Sequence, residues 1–323
     1  MEEHRPALLV LLYHSFFAET RPDGWEQGSL DYMTTYERFN QDVEMLTNNP
    51  RIQFTKPDEF FRMSDPPIDR IYTYLTFDDG YKSILPALKR LKEETIPAAV
   101  FVNSEFIGTG ELAWPEKLLC FFHHLGNQAF STRLNDHSWF FESQASFDEK
   151  LKVFFNLRTY LKNVGTTNRE QFLEQLYDSF QFDLSLLNSD PFYEQIRLMD
   201  WDDVKWIHEA GFQVGGHTRT HPILSLSSSD RIRNEIVEDK LAIEDKLNAK
   251  VSFFAIPNGQ PQDYNDEVIR ACQESQYEKI FSTSHGLNFL EDRDYVLKRY
   301  DIGNFGLSTN DVINQVCGAC LQA

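Results

Sequence analysis

The chain has 323 residues, of which 41% are hydrophobic and 14% aromatic, and its formal net charge is −19. This length can bury a large core, and the composition is that of a folded globular protein rather than a disordered one. The negative charge argues against nucleic acid and anionic membrane surfaces as main partners, because both would be repelled. A neutral substrate remains compatible with it.

The N-terminal region predicts a buried strand over residues 7–13. This apolar run is too short for a signal peptide and lacks a small-residue cleavage site, so we expect no targeting segment. No stretch of the sequence approaches the about 18 apolar residues of a membrane helix. The four cysteines are few for this length and fit a reducing compartment. Because neither a signal peptide nor a membrane span is expected, we predict a cytoplasmic protein. His14 follows the strand directly and is a candidate cleft residue.

The next apolar run, over 71–77, predicts a strand that ends in two adjacent carboxylates, Asp78 and Asp79, just before Gly80. Taken alone, the pair could be a helix N-cap with a solvated neighbour. Its position after a strand makes a functional role equally plausible, because α/β barrels place their chemistry at the carboxyl ends of strands. An amphipathic helix follows, and a third strand is predicted over 98–102.

Residues 104–200 interrupt this alternation of strands and helices. The segment is about 30% of the chain and holds 13 of its 27 phenylalanines, so it must pack rather than remain solvated. Stripes of helical spacing around Phe154 and Phe172 predict a helical insertion. Its aromatic side chains either form a core of their own or line a cleft, and His123 with His124 fits a structural role in the same pattern.

After the insertion, Asp200 is the expected cap of a helix that ends at Gly211, and a strand is predicted over 212–216. His217 and His221 follow it in a loop-like segment, where they could also be structural histidines. If both strands end at one edge of the sheet, one carboxylate and two imidazoles form an open three-ligand site. Such a site suits zinc or a similar divalent ion and leaves the second carboxylate to handle protons.

The C-terminal part predicts a long helix from about Ser229 and three further strands, over 251–256, 279–282 and 295–299. The alternation as a whole predicts an α/β fold, a distorted (β/α) barrel in one domain with a helical insertion. Cys317 and Cys320 have a metal-like or redox-like spacing. No second Cys or His pair lies nearby, so we interpret their spacing as chance or simple packing.

The motifs around these residues resemble those of the polysaccharide deacetylases, the NodB-homology group or carbohydrate esterase family four. Residues 76–80 (TFDDG) and 217–221 (HTRTH) are similar to the first two family motifs, and residues 254–259 (FAIPNG) to the third. The opening residues 12–14 (LYH) resemble the start of members with this longer layout. The resemblance extends over about residues 8–103 and 200–300.

This resemblance implies a reaction and its cofactor. Asp78 would be the general base that takes a proton from the attacking water. Asp79, His217 and His221 would hold a divalent metal, expected to be zinc, with cobalt, nickel or manganese as alternatives. The backbone N–H of Asn258 would stabilise the tetrahedral oxyanion. The expected reaction is removal of an acetyl group from an N-acetylated sugar or glycan, in preference to an O-acetylated one.

In the same third motif, Pro257 would shape the loop that carries the oxyanion donor, although an ordinary turn would have the same sequence. The arginine that usually orients the base carboxylate is replaced by Ala255. Arg299, at the end of the last predicted strand, could supply that charge, or it could be a surface residue.

The later family motifs, an Asp-rich segment with a tryptophan and a leucine-x-histidine pair, are not visible. We therefore consider His285 as the acid that protonates the leaving nitrogen, with an exposed loop histidine as the alternative. Two other functions stay open: an amidohydrolase acting on a small non-sugar amide or imide, and a non-catalytic barrel homologue.

Overall fold

The computed structural model describes residues 5–17, 34–183, 185, 191–303 and 307–321, and every structural statement below concerns these residues. The side chains of Cys317 and Cys320 lie outside the described set, so the prediction about their spacing is not tested. The strands are β1 (Ala7–Tyr13), β2 (Phe16–Phe17), β3 (Thr34–Thr35), β4 (Ile52–Phe54), β5 (Ile71–Phe77), β6 (Ala98–Val102), β7 (Phe130–Leu134), β8 (His137–Phe141), β9 (Gln213–Gly216), β10 (Phe253–Ala255), β11 (Lys279–Phe281), β12 (Asn288–Phe289), β13 (Val296–Leu297) and β14 (Tyr300–Asp301).

Ten of these strands form one mainly parallel sheet in the order β12-β1-β5-β6-β9-β10-β11-β13, with β4 and β14 pairing β5 and β1. Every residue of β1, β5 and β6 is buried, which explains why these strands read as continuous apolar runs rather than alternating ones. The chain passes from β13, beside β11, to β14, beside β1. The sheet thus nearly closes into the expected α/β barrel.

Six of the seven predicted strands are found, three of them at the predicted bounds and three shortened by one to three residues. The strand predicted over 295–299 is wrong as a single element, because within this segment only Val296–Leu297 (β13) is a strand, and β14 begins after a break, at Tyr300. The break has a physical reason. A chain that leaves the edge of β11 to reach β1 cannot stay in one ladder, and Arg299 lies in the crossing segment.

The helices are α1 (Tyr36–Asn48), α2 (Pro57–Phe60), α3 (Leu85–Glu93), α4 (Trp114–Leu125), α5 (Phe147–Lys162), α6 (Thr166–Ser179), α7 (Pro191–Ile196), α8 (Trp201–Glu209), α9 (Ser229–Leu247), α10 (Asp266–Glu274) and α11 (Thr309–Leu321). The predicted cap of α8 is present, since the Asp200 side chain accepts hydrogen bonds from the N–H groups of Asp202 and Asp203. None of the described helices is long and apolar enough to cross a membrane.

The insertion between β6 and β9 contains helices α4 to α8 and also an antiparallel hairpin, β7–β8, that the helical prediction missed. Asn135 and Asp136 form its two-residue turn, and Asn135 has a φ of 54°, as a tight hairpin turn requires. The rings of Phe121, Phe122 and Phe130 pack on one another with centroids 5.1 to 6.0 Å apart. Much of the aromatic content of this segment therefore forms its own core.

Candidate metal centre and active site

The carboxyl ends of β5 and β9 bring Asp79, His217 and His221 together. Oδ1 of Asp79 lies 3.3 Å from Nε2 of His217 and 3.3 Å from Nε2 of His221. One donor atom from each of the three side chains lies within 4.8 Å of the other two. Three donors converging on one point at this spacing can hold a single divalent ion.

Hydrogen bonds to the backbone orient His217 for this role. Its Nδ1 lies 2.8 Å from the carbonyl oxygen of Ala255, to which it can only donate, so Nε2 carries the lone pair that faces the cluster. The His217 N–H donates to the carboxylate of Asp239 at 3.0 Å, and Ser104 N donates to the same carboxylate. Burial raises the pKa of Asp239 to about 7 against the opposing effect of these bonds. Asp239 was not among the predicted site residues, because it lies on α9 and belongs to no motif.

The backbone at this site is strained. Asp79, Thr218 and His221 all have left-handed φ values, of 69°, 67° and 55°, in residues other than glycine. Such conformations cost on the order of 1–3 kcal/mol each and persist only where the surroundings impose them. Glu235 on α9 contributes to that restraint by accepting hydrogen bonds from both the N–H and the hydroxyl of Thr220, between the two histidines.

Arg299 occupies the position beside Asp78 that the sequence left open. Its Nη1 and Nη2 donate to the two carboxylate oxygens of Asp78 at 2.8 and 2.7 Å. Its Nε donates to the Ser282 carbonyl at 2.8 Å, and the side chain is fully buried. The alternative of a surface arginine is therefore excluded. A bidentate pair of this kind fixes both the position and the charge of a carboxylate.

The charges around the two aspartates favour their ionised forms. Burial acts to raise the pKa of Asp78, but Arg299 and then His217 outweigh it, so the pKa is lowered from its ordinary value. Burial opposes ionisation of Asp79 in the same way, and His221 together with His217 holds the pKa of that carboxyl well below its usual range. Asp78 is thus a charged carboxylate, 3.9 Å from His217 Nε2, and it can accept a proton.

The loop after β10 carries Pro257 and Asn258. Asn258 is half-buried with a φ of 60°, and the hydroxyl of Thr283 donates to its carbonyl at 2.5 Å. Within the part of the chain that the structure describes, the Asn258 N–H forms no hydrogen bond, so it remains able to donate to a ligand. Next to it, Gly259 has a φ of 69°, and an added Cβ would lie 2.8 Å from Thr283 N, which explains the glycine.

The two candidate histidines outside the cluster differ in their surroundings. His14 is largely buried at the end of β1, and its Nδ1 lies 3.5 Å from Oδ1 of Asp301. Burial acts to lower the pKa of His14, but Asp301 and then the aspartate pair raise it to about 9. His285 is exposed, and its ring packs on Tyr300 with centroids 5.2 Å apart.

Glu116, from helix α4 of the insertion, is a second site residue that was not predicted. It is buried, and it accepts a hydrogen bond of 2.8 Å from the hydroxyl of Tyr81, two residues after Asp79. Burial and then the charge of Asp79 raise the pKa of Glu116, while His221 opposes the rise. The insertion therefore contributes a carboxyl group to the surroundings of the cluster. The sequence offered one signal for this residue: Glu116 is a charged side chain within a helix whose other buried residues are mostly apolar.

The donor set fits a divalent ion of the zinc type, because it combines two imidazoles and one carboxylate and leaves coordination positions open. His217 has the oriented second nitrogen that metal-ligating histidines usually show. The residues that would hold the ion are Asp79, His217 and His221, the same three that the sequence predicts as metal ligands.

Comparison with known proteins places this chain in a class. The family model for polysaccharide deacetylases matches residues 66–280, about two thirds of the chain. The protein is thus a hydrolase of the class that acts on carbon–nitrogen bonds other than peptide bonds. The chain belongs to the polysaccharide deacetylase family, whose members act on acetylated carbohydrate and generally depend on a divalent metal. A search of curated proteins gave no significant match.

Solved structures give the same fold over nearly the whole chain. The Streptococcus pyogenes deacetylase PplD in complex with acetate is 16% identical with a TM-score of 0.59, and the match covers 96% of this chain and 98% of that one. IcaB from Ammonifex degensii is 17% identical with a TM-score of 0.59, covering 98% and 97%. The de-N-acetylase from Aggregatibacter actinomycetemcomitans is 14% identical with a TM-score of 0.56, covering 95% and 99%. At these identities the likeness shows the NodB-type barrel and no more.

Proposed function

We propose that the protein is a metal-dependent deacetylase that hydrolyses the acetyl group of an N-acetylated sugar or glycan. The observation that carries this proposal is the juxtaposition of two features at one end of the barrel. Asp79, His217 and His221 converge on one point, and an Arg299-bound carboxylate lies beside them. Two structural neighbours, described as a deacetylase in complex with acetate and a de-N-acetylase, support an acetyl amide as the substrate.

A divalent ion bound by Asp79, His217 and His221, which we propose to be zinc, would polarise the acetyl carbonyl and lower the pKa of a water molecule. Asp78 is the group that takes the proton from the attacking water. Arg299 keeps this carboxylate ionised and fixes its direction, which is the task of the arginine that Ala255 replaces.

The remaining chemistry needs an oxyanion donor and an acid. The Asn258 N–H, on a loop set by Pro257 and Gly259, would donate to the oxyanion of the tetrahedral intermediate. His14 would protonate the leaving nitrogen as the carbon–nitrogen bond breaks, with Asp301 holding its ring. His285 stays a second candidate for this acid, but its exposure favours His14.

Acetate release from a panel of substrates tests the proposal. The panel contains N-acetylated sugars, an O-acetylated sugar and a cyclic amide, each assayed with added zinc or cobalt. We expect release from the N-acetylated sugars and its loss on chelation of the metal. Turnover of the cyclic amide alone would instead identify an amidohydrolase, and no turnover with a metal-loaded site would identify a non-catalytic homologue. A cytoplasmic location remains part of the proposal.

A further inference from the structure

The insertion contains a buried cation without a hydrogen-bonded partner. Arg169, on α6, is 3% exposed, and its Nε and Nη1 are buried and form no hydrogen bond. Burial lowers the pKa of Arg169 to about 10, which leaves the guanidinium charged at neutral pH. Glu170, the neighbouring carboxylate that favours this charge, is exposed and forms no hydrogen bond with it among the described residues. An unpaired charge in such a place is costly.

Further donors surround this guanidinium. Cζ of Arg169 lies 4.6 Å from the centroid of the Trp114 ring, and the indole Nε1 of Trp114 is itself buried without a hydrogen-bond partner. The like charge of Arg231, at the start of α9, also acts to lower the pKa of Arg169, and the Nε of Arg231 is buried without a hydrogen-bond partner. The three side chains thus present four buried donor nitrogens without a hydrogen-bond partner, in a chain whose net charge is −19. Of their two positive charges, that of Arg231 lies beside the Glu235 carboxylate and that of Arg169 has no such partner among the described residues.

Two connections link this group to the surroundings of the metal centre. Nη2 of Arg231 lies 3.7 Å from Oε1 of Glu235, the carboxylate that accepts both hydrogen bonds from Thr220 between the histidines. Trp114 begins the helix that carries Glu116, whose carboxyl responds to the charges of Asp79 and His221. The insertion and α9 therefore meet next to the metal-binding loop.

We propose that Trp114, Arg169 and Arg231 form an oxyanion-binding subsite next to the metal centre, and that it takes a phosphate or carboxylate group carried by the acetylated substrate. Two guanidinium groups and an indole N–H are the donors that such oxyanions prefer, and an anion between them removes both the repulsion and the unpaired charge. The second half of this proposal rests on the proposed deacetylase function. The deacetylase would then act on an anionic acetylated sugar despite the negative charge of the whole chain.

Binding of inorganic phosphate, measured by isothermal titration calorimetry on the metal-loaded protein, tests the subsite without any turnover. We expect saturable binding that weakens about tenfold or more in Arg169→Met, which keeps the side-chain length but removes the charged hydrogen-bond donors. Trp114→Phe keeps a ring beside Arg169 and should also weaken binding. Arg133→Met is the matched control, because Arg133 is an exposed arginine of the same insertion, and it should bind as the parent does. Circular dichroism checks that each variant is folded.

The Asp79→Ala variant separates this subsite from phosphate bound at the metal. Phosphate binding that survives in Asp79→Ala but weakens in Arg169→Met supports the subsite. Equal phosphate affinity in Arg169→Met and Arg133→Met overturns it. Phosphate binding that is lost only in Asp79→Ala, or that is not saturable in the parent protein, also overturns it.

Kinetics then decide whether the anion belongs to the substrate. The ratio of kcat/KM for a phosphorylated over a neutral N-acetylated sugar should fall about tenfold in Arg169→Met and stay unchanged in Arg133→Met. An unchanged ratio would identify a free anion as the ligand and overturn the substrate half. If the parent turns over neither sugar while phosphate binding still depends on Arg169, the proposed function fails and the subsite stands.

Discussion

The Arg299 guanidinium is fully buried, and its two terminal nitrogens hold both oxygens of Asp78. Asp78 and Asp79 are adjacent in sequence, yet their partners divide them: one carboxylate faces the arginine and the other faces the two histidines. The division into a proton acceptor and a metal ligand therefore has a physical basis in the surrounding charges. In the proposed mechanism, an arginine from the crossing between β13 and β14 does the task of the arginine that Ala255 replaces in the third motif.

Replacing Arg299 with Met should leave the buried Asp78 charge uncompensated. We expect a loss of about 3–5 kcal/mol in the free energy of unfolding at neutral pH, and a large drop in kcat. Because the pKa of Asp78 is lowered in the folded protein, its pairing stabilises the fold above the unfolded pKa and ceases to do so as the pH falls through the folded value. Urea unfolding should thus show a smaller deficit at acidic pH than at pH 7.

Arg62→Met is the matched control for this experiment. Arg62 forms a pair of 3.3 Å with Asp58, but its side chain is 72% exposed. The loss there should stay below about 1 kcal/mol, as for other surface pairs. Similar losses in the two variants would contradict the structural role given to Arg299.

His14 gives the proposed reaction a characteristic pH dependence. Its pKa, raised to about 9 mainly by Asp301 against the effect of burial, keeps the ring protonated at neutral pH. An acid with this pKa predicts that kcat/KM falls as the pH rises through about 9. In Asp301→Asn this alkaline limb should move to lower pH. His14→Gln removes the proposed acid and should reduce kcat strongly. A normal kcat in His14→Gln together with a reduced kcat in His285→Gln would instead assign the role of acid to His285.

The sequence could bring the proposed metal ligands together because each lies in a short motif at the end of a strand. The strand pattern and these motifs are enough to place Asp78, Asp79, His217 and His221 at one edge of the sheet. The contacts of Arg299 with Asp78 and of His14 with Asp301 join residues far apart in the chain. No local pattern encodes such pairs, so the sequence could offer Arg299 and His14 only as candidates, and it did not offer Asp301.

At the level of elements, the packing at the end of β9 requires a glycine at position 216. A Cβ on Gly216 would lie 2.5 Å from the Tyr277 hydroxyl and 2.6 Å from Oδ2 of Asp239, the carboxylate that holds His217 N–H. Gly216→Ala should therefore destabilise the fold by about 1–3 kcal/mol and shift the loop that carries the histidines. We expect metal affinity to fall about 10–100-fold, since ligand-orienting partners have effects of this size.

Gly165→Ala serves as the control for Gly216→Ala. An added Cβ at Gly165, before α6, meets no atom within 4 Å. This change should leave metal affinity at the parent value and cost only a small part of the stability. If both variants bound metal like the parent, the tight packing under His217 would not matter for the site.

The elements that the sequence pattern missed have two different causes. The β7–β8 hairpin lies within a segment whose abundant phenylalanines favour helices, and the two-residue turn at Asn135 is a weaker local signal than that pattern. The break between β13 and β14 follows from closing the barrel, a constraint of the whole sheet that no local window contains. Long buried parallel strands were predictable because burial on both faces makes their apolar runs continuous.

At the scale of the molecule, a nearly closed parallel barrel collects residues from β1, β5, β9, β10 and the β13–β14 crossing at one end. The insertion adds Glu116, Trp114 and Arg169 from outside the barrel, and α9 adds Arg231. The α/β class and barrel could be predicted from the alternation of elements, and the family match confirms them. The single-domain organisation stays a prediction.

The central claim is that Asp79 holds a metal and Asp78 moves a proton. Elemental analysis of the purified Asp79→Ala and Asp78→Asn variants, together with acetate release from an N-acetylated sugar, tests it directly. Asp79→Ala should lose both metal and turnover, whereas Asp78→Asn should keep the metal and lose turnover by a factor of about 10² or more. Metal content that is unchanged in Asp79→Ala, or turnover that persists in Asp78→Asn, would contradict the account.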